Sequence, residues 1–169
     1  LHVPPTVVAF ALNTMKAGEA ISSEFKYANS KVYAIEALYD ANDLPHFSNL
    51  NRNYERVHAL MQSRRVFSAS SVGMGGIAAA LTKMCFGNDI GFKFAPGAIK
   101  FEDLFRPAYG TMLIEMSEAV NVTEALAGVK WTLLGRTTAV ASVVCNGMVQ
   151  TLDELREPYV NALEGIFPT

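Results

Sequence analysis

Ser70, Ser71, Gly73, Gly75 and Gly76 are the residues of this chain whose types and spacing best suit chemistry, and the chemistry is that of holding an anion. They lie in the run Val66-Phe67-Ser68-Ala69-Ser70-Ser71-Val72-Gly73-Met74-Gly75-Gly76, which opens onto Ile77-Ala78-Ala79-Ala80-Leu81-Thr82-Lys83-Met84. Glycines let a backbone turn tightly and come close to another group. A helix that starts just after such a turn aims free N–H groups and its positive dipole end at that place, which suits a phosphate. The pattern is neither GxGxxG nor GxxxxGK[ST], so both standard nucleotide fingerprints are absent. Glycine-bearing strand–helix junctions are also common where nothing binds, and spacing alone leaves both readings open.

The elements that must position this turn can be read from periodicity. Val66 and Phe67 begin a strand, and Ile77, Leu81 and Met84 share one helical face up to a stop at Gly87-Asn88. Residues 3–12 form an extended apolar run behind Pro4-Pro5, and residues 13–27 read as a connection. Residues 30–38 are a strand buried on both faces. Ser48 is a plausible N-cap for a helix through Arg64, with Leu50, Tyr54, Val57 and Met61 inward and Arg52, Glu55, Arg56 and Arg64 in solvent. Further strands fall at residues 89–95, 109–116, 129–138 and 141–145, the last two expected as paired neighbours. Short helices fall at residues 100–105 and 120–126, the second capped by Asn121 or Thr123. Asn146-Gly147 is a hairpin turn, and Thr151 with Glu154 is a capping box opening a last helix that Pro158 kinks and Pro168 stops. Strands alternating with helices imply an α/β (α+β) class, layered α/β/α around a mixed sheet.

Bulk properties exclude several functions. The 169 residues suit one compact domain with an extra segment, and 50% hydrophobic against 18% charged residues implies an apolar surface that packs on another domain or a second copy. A net charge of −2 carries no footprint for nucleic acid. No apolar stretch approaches the roughly 20 residues that cross a bilayer. His2, His46 and His58 are isolated, so no metal site is expected. Cys85 and Cys145 read as reduced core residues. A cytoplasmic protein is expected, and the start at Leu1 reads as an excised fragment.

The run from Gly75 to Gly91 (Gly75-Gly76-Ile77-Ala78-Ala79-Ala80-Leu81-Thr82-Lys83-Met84-Cys85-Phe86-Gly87-Asn88-Asp89-Ile90-Gly91) resembles the C-terminal domain of the aminoimidazole ribonucleotide synthetase (PurM-like) superfamily. Val3-Pro4-Pro5-Thr6, Ser30-Lys31-Val32-Tyr33 and the tail from Leu152 to Thr169 extend the likeness over nearly the whole chain, toward its phosphoribosylformylglycinamidine synthases. The resemblance implies a lead-in over residues 1–29, from a preceding ATP-binding domain, and a C-terminal-type domain over residues 30–169. It implies ATP and magnesium in the parent enzyme, none held by this fragment alone. It also implies a ribonucleotide substrate, and as partners the ATP-binding domain and a glutaminase domain. The family's reaction passes through an iminophosphate that ammonia displaces, chemistry that depends on positioning and on neutralising phosphate charge.

Where many relatives carry His-Asp-Val-Ser-Asp-Gly-Gly, this chain has Ser70-Ser71-Val72-Gly73-Met74-Gly75-Gly76. No carboxylate remains there to hold a metal or take a proton, so no catalytic residue is expected, only phosphate or substrate contact. A non-catalytic module of the same enzyme is the alternative reading. Another superfamily member, such as a selenophosphate synthetase or a hydrogenase-maturation factor, is a third. The isolated fragment is expected to be inactive, and a homodimer of the fragment is one form it could take.

Overall fold

A computed structural model describes residues 7–167. These residues form a seven-stranded mixed sheet in the order β2-β4-β1-β5-β3-β6-β7. The strands are β1 (Lys31–Ile35), β2 (Val66–Ser71), β3 (Gly91–Phe94), β4 (Met112–Met116), β5 (Trp131–Thr138), β6 (Ser142–Cys145) and β7 (Met148–Thr151). The helices are α1 (Phe47–Gln62), α2 (Gly76–Phe86), α3 (Val122–Ala125) and α4 (Leu152–Val160). Neighbouring strands run antiparallel except β3 and β6, which are parallel.

Alternation along β1 divides the core in two. Val32 and Ala34 face a cluster with Leu81, Met84 and Cys85 of α2 and Leu152 of α4. Tyr33 and Ile35 face a second cluster with Val57 and Leu60 of α1 and Ala125 and Leu126 of α3. Successive strand residues point to opposite faces, so a central strand with apolar residues at every position is covered on both. The result is the expected α/β/α layering. Each fully buried Leu, Ile or Met contributes about 1.5–3 kcal/mol.

Several expectations need correction. Strands β5 and β6 are not neighbours, because β3 lies between them. Both edges of β5 are taken, by β1 and β3, so β6 finds its partner one strand further out. Close passage there requires Gly91, whose Cβ would overlap the backbone of Val140 and Ser142. Val7 to Leu12 forms no strand and is exposed, having no strand partner among the described residues; Val3 to Thr6, His2 and Pro168 lie outside them. Helix α1 begins at Phe47 with His46 as N-cap, so Ser48 is not the cap. At residues 100–105 the helix is a single 3-10 turn, Phe101–Leu104. Asn121 is the N-cap of α3 without a side-chain bond, whereas the Thr151–Glu154 capping box is formed on both sides. Helix α4 runs past Pro158 to Val160 and gives way to a 3-10 turn, leaving Tyr159, Leu163 and Ile166 exposed. Asn146 and Gly147 both take positive φ, as a two-residue hairpin turn between β6 and β7 requires.

The segment before β1 is anchored by a buried carboxyl. Glu115 of β4 is fully buried and accepts from the Lys26 and Tyr27 backbone N–H groups, at 2.9 and 3.0 Å, and from the Ser68 hydroxyl at 2.8 Å. Phe25 beside them is fully buried and stacks on Phe92, and its N–H reaches the Met84 carbonyl at the end of α2. The packed body therefore begins several residues before β1.

Glu115→Ala leaves the buried Ser68 hydroxyl and two part-buried backbone donors without an acceptor, an unsatisfied buried group costing about 1–3 kcal/mol. Urea unfolding of Glu115→Ala should show a loss of about 3 kcal/mol or more, against a few tenths for the exposed Glu102→Ala.

Candidate functional site

The glycine turn joins β2 to α2 at the end of the sheet where β1 finishes and β4 and β5 begin. The Val72 N–H bonds the Thr111 carbonyl at 2.9 Å, which ties the turn to the entry of β4. Gly75, the N-cap of α2, has φ 85°, and Gly76 has φ 67°; both are left-handed conformations that favour glycine. The Gly76 N–H closes onto the Gly73 carbonyl at 3.1 Å. A Cβ on Gly76 would lie 2.7 Å from the Arg106 carbonyl oxygen and closer still to that of Leu104. Gly76 is therefore pressed against the backbone of residues 104–106. Gly73 has room, its nearest neighbour being a Tyr109 ring carbon at 3.8 Å from an added Cβ.

The two serines part company. Ser70 pairs in register with Leu113 of the α2-side core, and Ser71 with Met112 of the α1-side core. Ser70 therefore shares the face of α2. Ser71 lines an apolar groove with Tyr54, Met61 and His58 on the opposite face. Neither hydroxyl has a hydrogen-bond partner among the described residues.

A cavity of about 810 Å³ adjoins the turn through Ile77 and Tyr109. Its floor is Ala34, Ile77 and Leu134, and its roof is the excursion between β3 and β4, which carries Lys100, Asp103 and Arg106. Cavities of this size hold small ligands, fixed by a few polar groups over an apolar lining. Glu36 at the end of β1 accepts from the Thr132 hydroxyl at 2.5 Å and pairs with Lys130 at 2.6 Å. Its backbone carbonyl accepts from the fully buried Asn53 of α1 at 2.9 Å. The Thr111 hydroxyl accepts from the Ala37 N–H at 3.1 Å. Tyr39 donates its hydroxyl to the Tyr109 carbonyl, and burial raises its pKa. Arg106 pairs with Asp103 at 3.7 Å.

Periodicity located the turn but not this cavity. Lys100, Asp43 and Thr132 lie far apart in sequence, in segments that carry no motif. The one signal is Glu36, a charge that follows the apolar run from Val32 to Ile35.

No group of three His, Cys, Asp or Glu residues gathers among the described residues. Burial pushes the Cys85 thiol up to about 12, so it is not a nucleophile at neutral pH. Cys85 and Cys145 are both free, Cys145 half-buried. His58 is exposed, and no helix among the described residues is long and apolar enough to cross a membrane.

The fold is shared with solved structures of PurL and of a hydrogenase maturation protein. PurL of Thermotoga maritima solved with AMPPCP superposes with a TM-score of 0.69 at 12% identity, over 83% of this chain and 28% of that one. Phosphoribosylformylglycinamidine synthase II of the same organism gives 0.68 at 12% identity, over 83% and 28%. A hydrogenase maturation protein, HypE, gives 0.58 at 14% identity, over 78% and 55%. The chain thus has the fold of one module of these proteins, and it spans about 28% of the length of the PurL chains it matches. No family model matches the chain, and no curated protein sequence matches it.

Gly76→Ala combines a left-handed φ with backbone overlap and should lower stability by at least about 2 kcal/mol. Gly73→Ala should shift the thermal midpoint little. Equal midpoints for the two variants would show that Gly76 is not clamped by residues 104–106.

Proposed function

We propose that this chain is a nucleotide- or ribonucleotide-contacting module of an ATP-dependent C–N ligase of the phosphoribosylformylglycinamidine synthase type. The observation that carries this reading is the agreement of fold with PurL over 83% of the chain, with a glycine turn and a cavity at one end of the sheet. In this reading residues 1–29 lead in from an ATP-binding domain, with Phe25 to Asn29 already packed on the module formed by residues 30–169. ATP, magnesium and the ribonucleotide belong to the whole cytoplasmic enzyme, and a glutaminase supplies ammonia. This module contributes Ser70, Gly73 and the N–H groups after Gly75 to a cleft, as anion contacts and not as acid or base. Ser71 and Gly76 support the turn from the other face and from beneath.

A non-catalytic, buttressing module is favoured by one observation. The close approach of Gly76 to the backbone of residues 104–106 explains that glycine without any ligand.

Both readings are tested on the full-length protein. Amidation of formylglycinamide ribonucleotide with ATP and glutamine or ammonia is expected, and no turnover with either nitrogen source overturns the assignment. Gly73→Asp, at a position with open space, places a carboxylate where the anion would lie. A rise in KM for nucleotide or ribonucleotide of about tenfold, or about 1.4 kcal/mol, supports contact. Unchanged kinetics with the fold intact supports the buttress. Gly76→Asp cannot serve, because its Cβ would overlap the roof.

A further inference from the structure

Strand β2 is an outer strand of the sheet, with β4 on one side and a free edge on the other. Val72 donates its N–H to the Thr111 carbonyl, on the side of β4. Backbone groups alternate in direction along an antiparallel pair, so Ser70 and Ser68 bond β4 while Ser71 and Ala69 aim their N–H and C=O groups outward. No strand or loop among the described residues pairs with that edge. Outer strands are usually blunted by charge, proline or a bulge. Strand β2 has no charge and no proline, and its register shift falls at Phe67, which leaves Ser68 to Ser71 regular.

The two residues with outward backbone groups also border an apolar groove. Ser71 lines it with Tyr54, Val57, His58, Met61 and Met112, and Ala69 packs on the same α1-side cluster. The groove holds about 340 Å³. Directly opposed residues of paired strands share a face, so a residue set against Ser71 or Ala69 carries its side chain over this groove. Met61 and Met112 are of the type that adapts to irregular apolar shapes. At the start of β2, Arg64 and Arg65 are exposed, and the side chain of neither has a partner among the described residues. A second copy paired antiparallel over all six residues of β2 sets Arg65 and Arg64 against Val72 and Gly73, in a stretch with no carboxylate. Charge therefore favours a different chain, one that brings the acid with it.

We infer that the β2 edge and the α1 groove take an extended segment of a partner protein, added antiparallel to β2, with apolar residues opposite Ser71 and Ala69 and carboxylates opposite Arg65 and Arg64. Main-chain bonds to Ser71 and Ala69 hold the segment, the groove selects its apolar side chains, and the two arginines fix its direction. This surface lies on the α1 face, opposite the cavity, and does not rest on the ligase reading.

The test is fluorescence anisotropy of a labelled peptide, Phe-Thr-Val-Thr-Thr-Thr-Glu-Glu, titrated with the full-length protein. Saturable binding is expected, and the reversed sequence should bind more weakly. Ser71→Pro removes one outward N–H at an edge position that proline tolerates, and should weaken binding about tenfold. The double variant Arg64→Glu, Arg65→Glu should lose the peptide and prefer the one that ends in Lys-Lys. Unchanged thermal midpoints show that the variants fold; if Ser71→Pro lowers its midpoint, the charge reversal and the reversed peptide decide the matter. No saturable binding by the parent overturns the inference. So does equal affinity for the forward and reversed peptides, an unchanged preference in the double variant, or an unweakened, folded Ser71→Pro. A concentration-dependent dimer in sedimentation velocity that Ser71→Pro abolishes makes the occupant a second copy, and overturns the inference as well.

Discussion

The contact between Gly76 and the backbone of residues 104–106 is the constraint on which the site depends. It holds the start of α2, the glycine turn and the roof of the cavity in one arrangement. Any side chain at position 76 pushes the roof away from α2, and the roof carries Lys100, Asp103 and Arg106. The glycine is thus needed where two stretches of backbone meet.

A second anchor acts at the far end of the same sheet face. Glu115 collects two backbone N–H groups and a hydroxyl from segments 47 to 89 residues away in sequence. It fixes the approach of the chain to β1, while Phe25 fills the space between α2 and the sheet. A buried carboxyl is tolerated because all three partners point at it. One end of the face is therefore closed by polar anchoring and apolar packing, and the other is left open as the cavity. Most of the charged side chains lining the cavity lie at the open end, carried by the chain between strands.

Much of the layering was legible in the sequence because it follows from local rules. Helical spacing in α1 and α2, the Asn146-Gly147 turn and the Thr151–Glu154 box each depend on residues within a few positions of one another. Strand order was less so. The neighbours of β5 are chosen by competition for its edges, and Asn146-Gly147 says only that β6 meets β7. The site was legible in part. The glycine turn announced itself, but the parting of Ser70 from Ser71 needed the register of β2 against β4. Lys100 and Asp43 carried no local signature at all.

The sequence by itself determined the apolar periodicities, the turns and caps, and the absence of a carboxylate between Ser70 and Gly76. These are properties of short stretches, where backbone preference and side-chain spacing act directly. Only the tertiary structure decided that β3 separates β5 from β6, that Gly76 serves packing, and that Lys100 and Asp43 share a cavity. Those outcomes depend on which distant segments compete for the same edge or the same space, and that competition is settled only when the whole sheet is assembled.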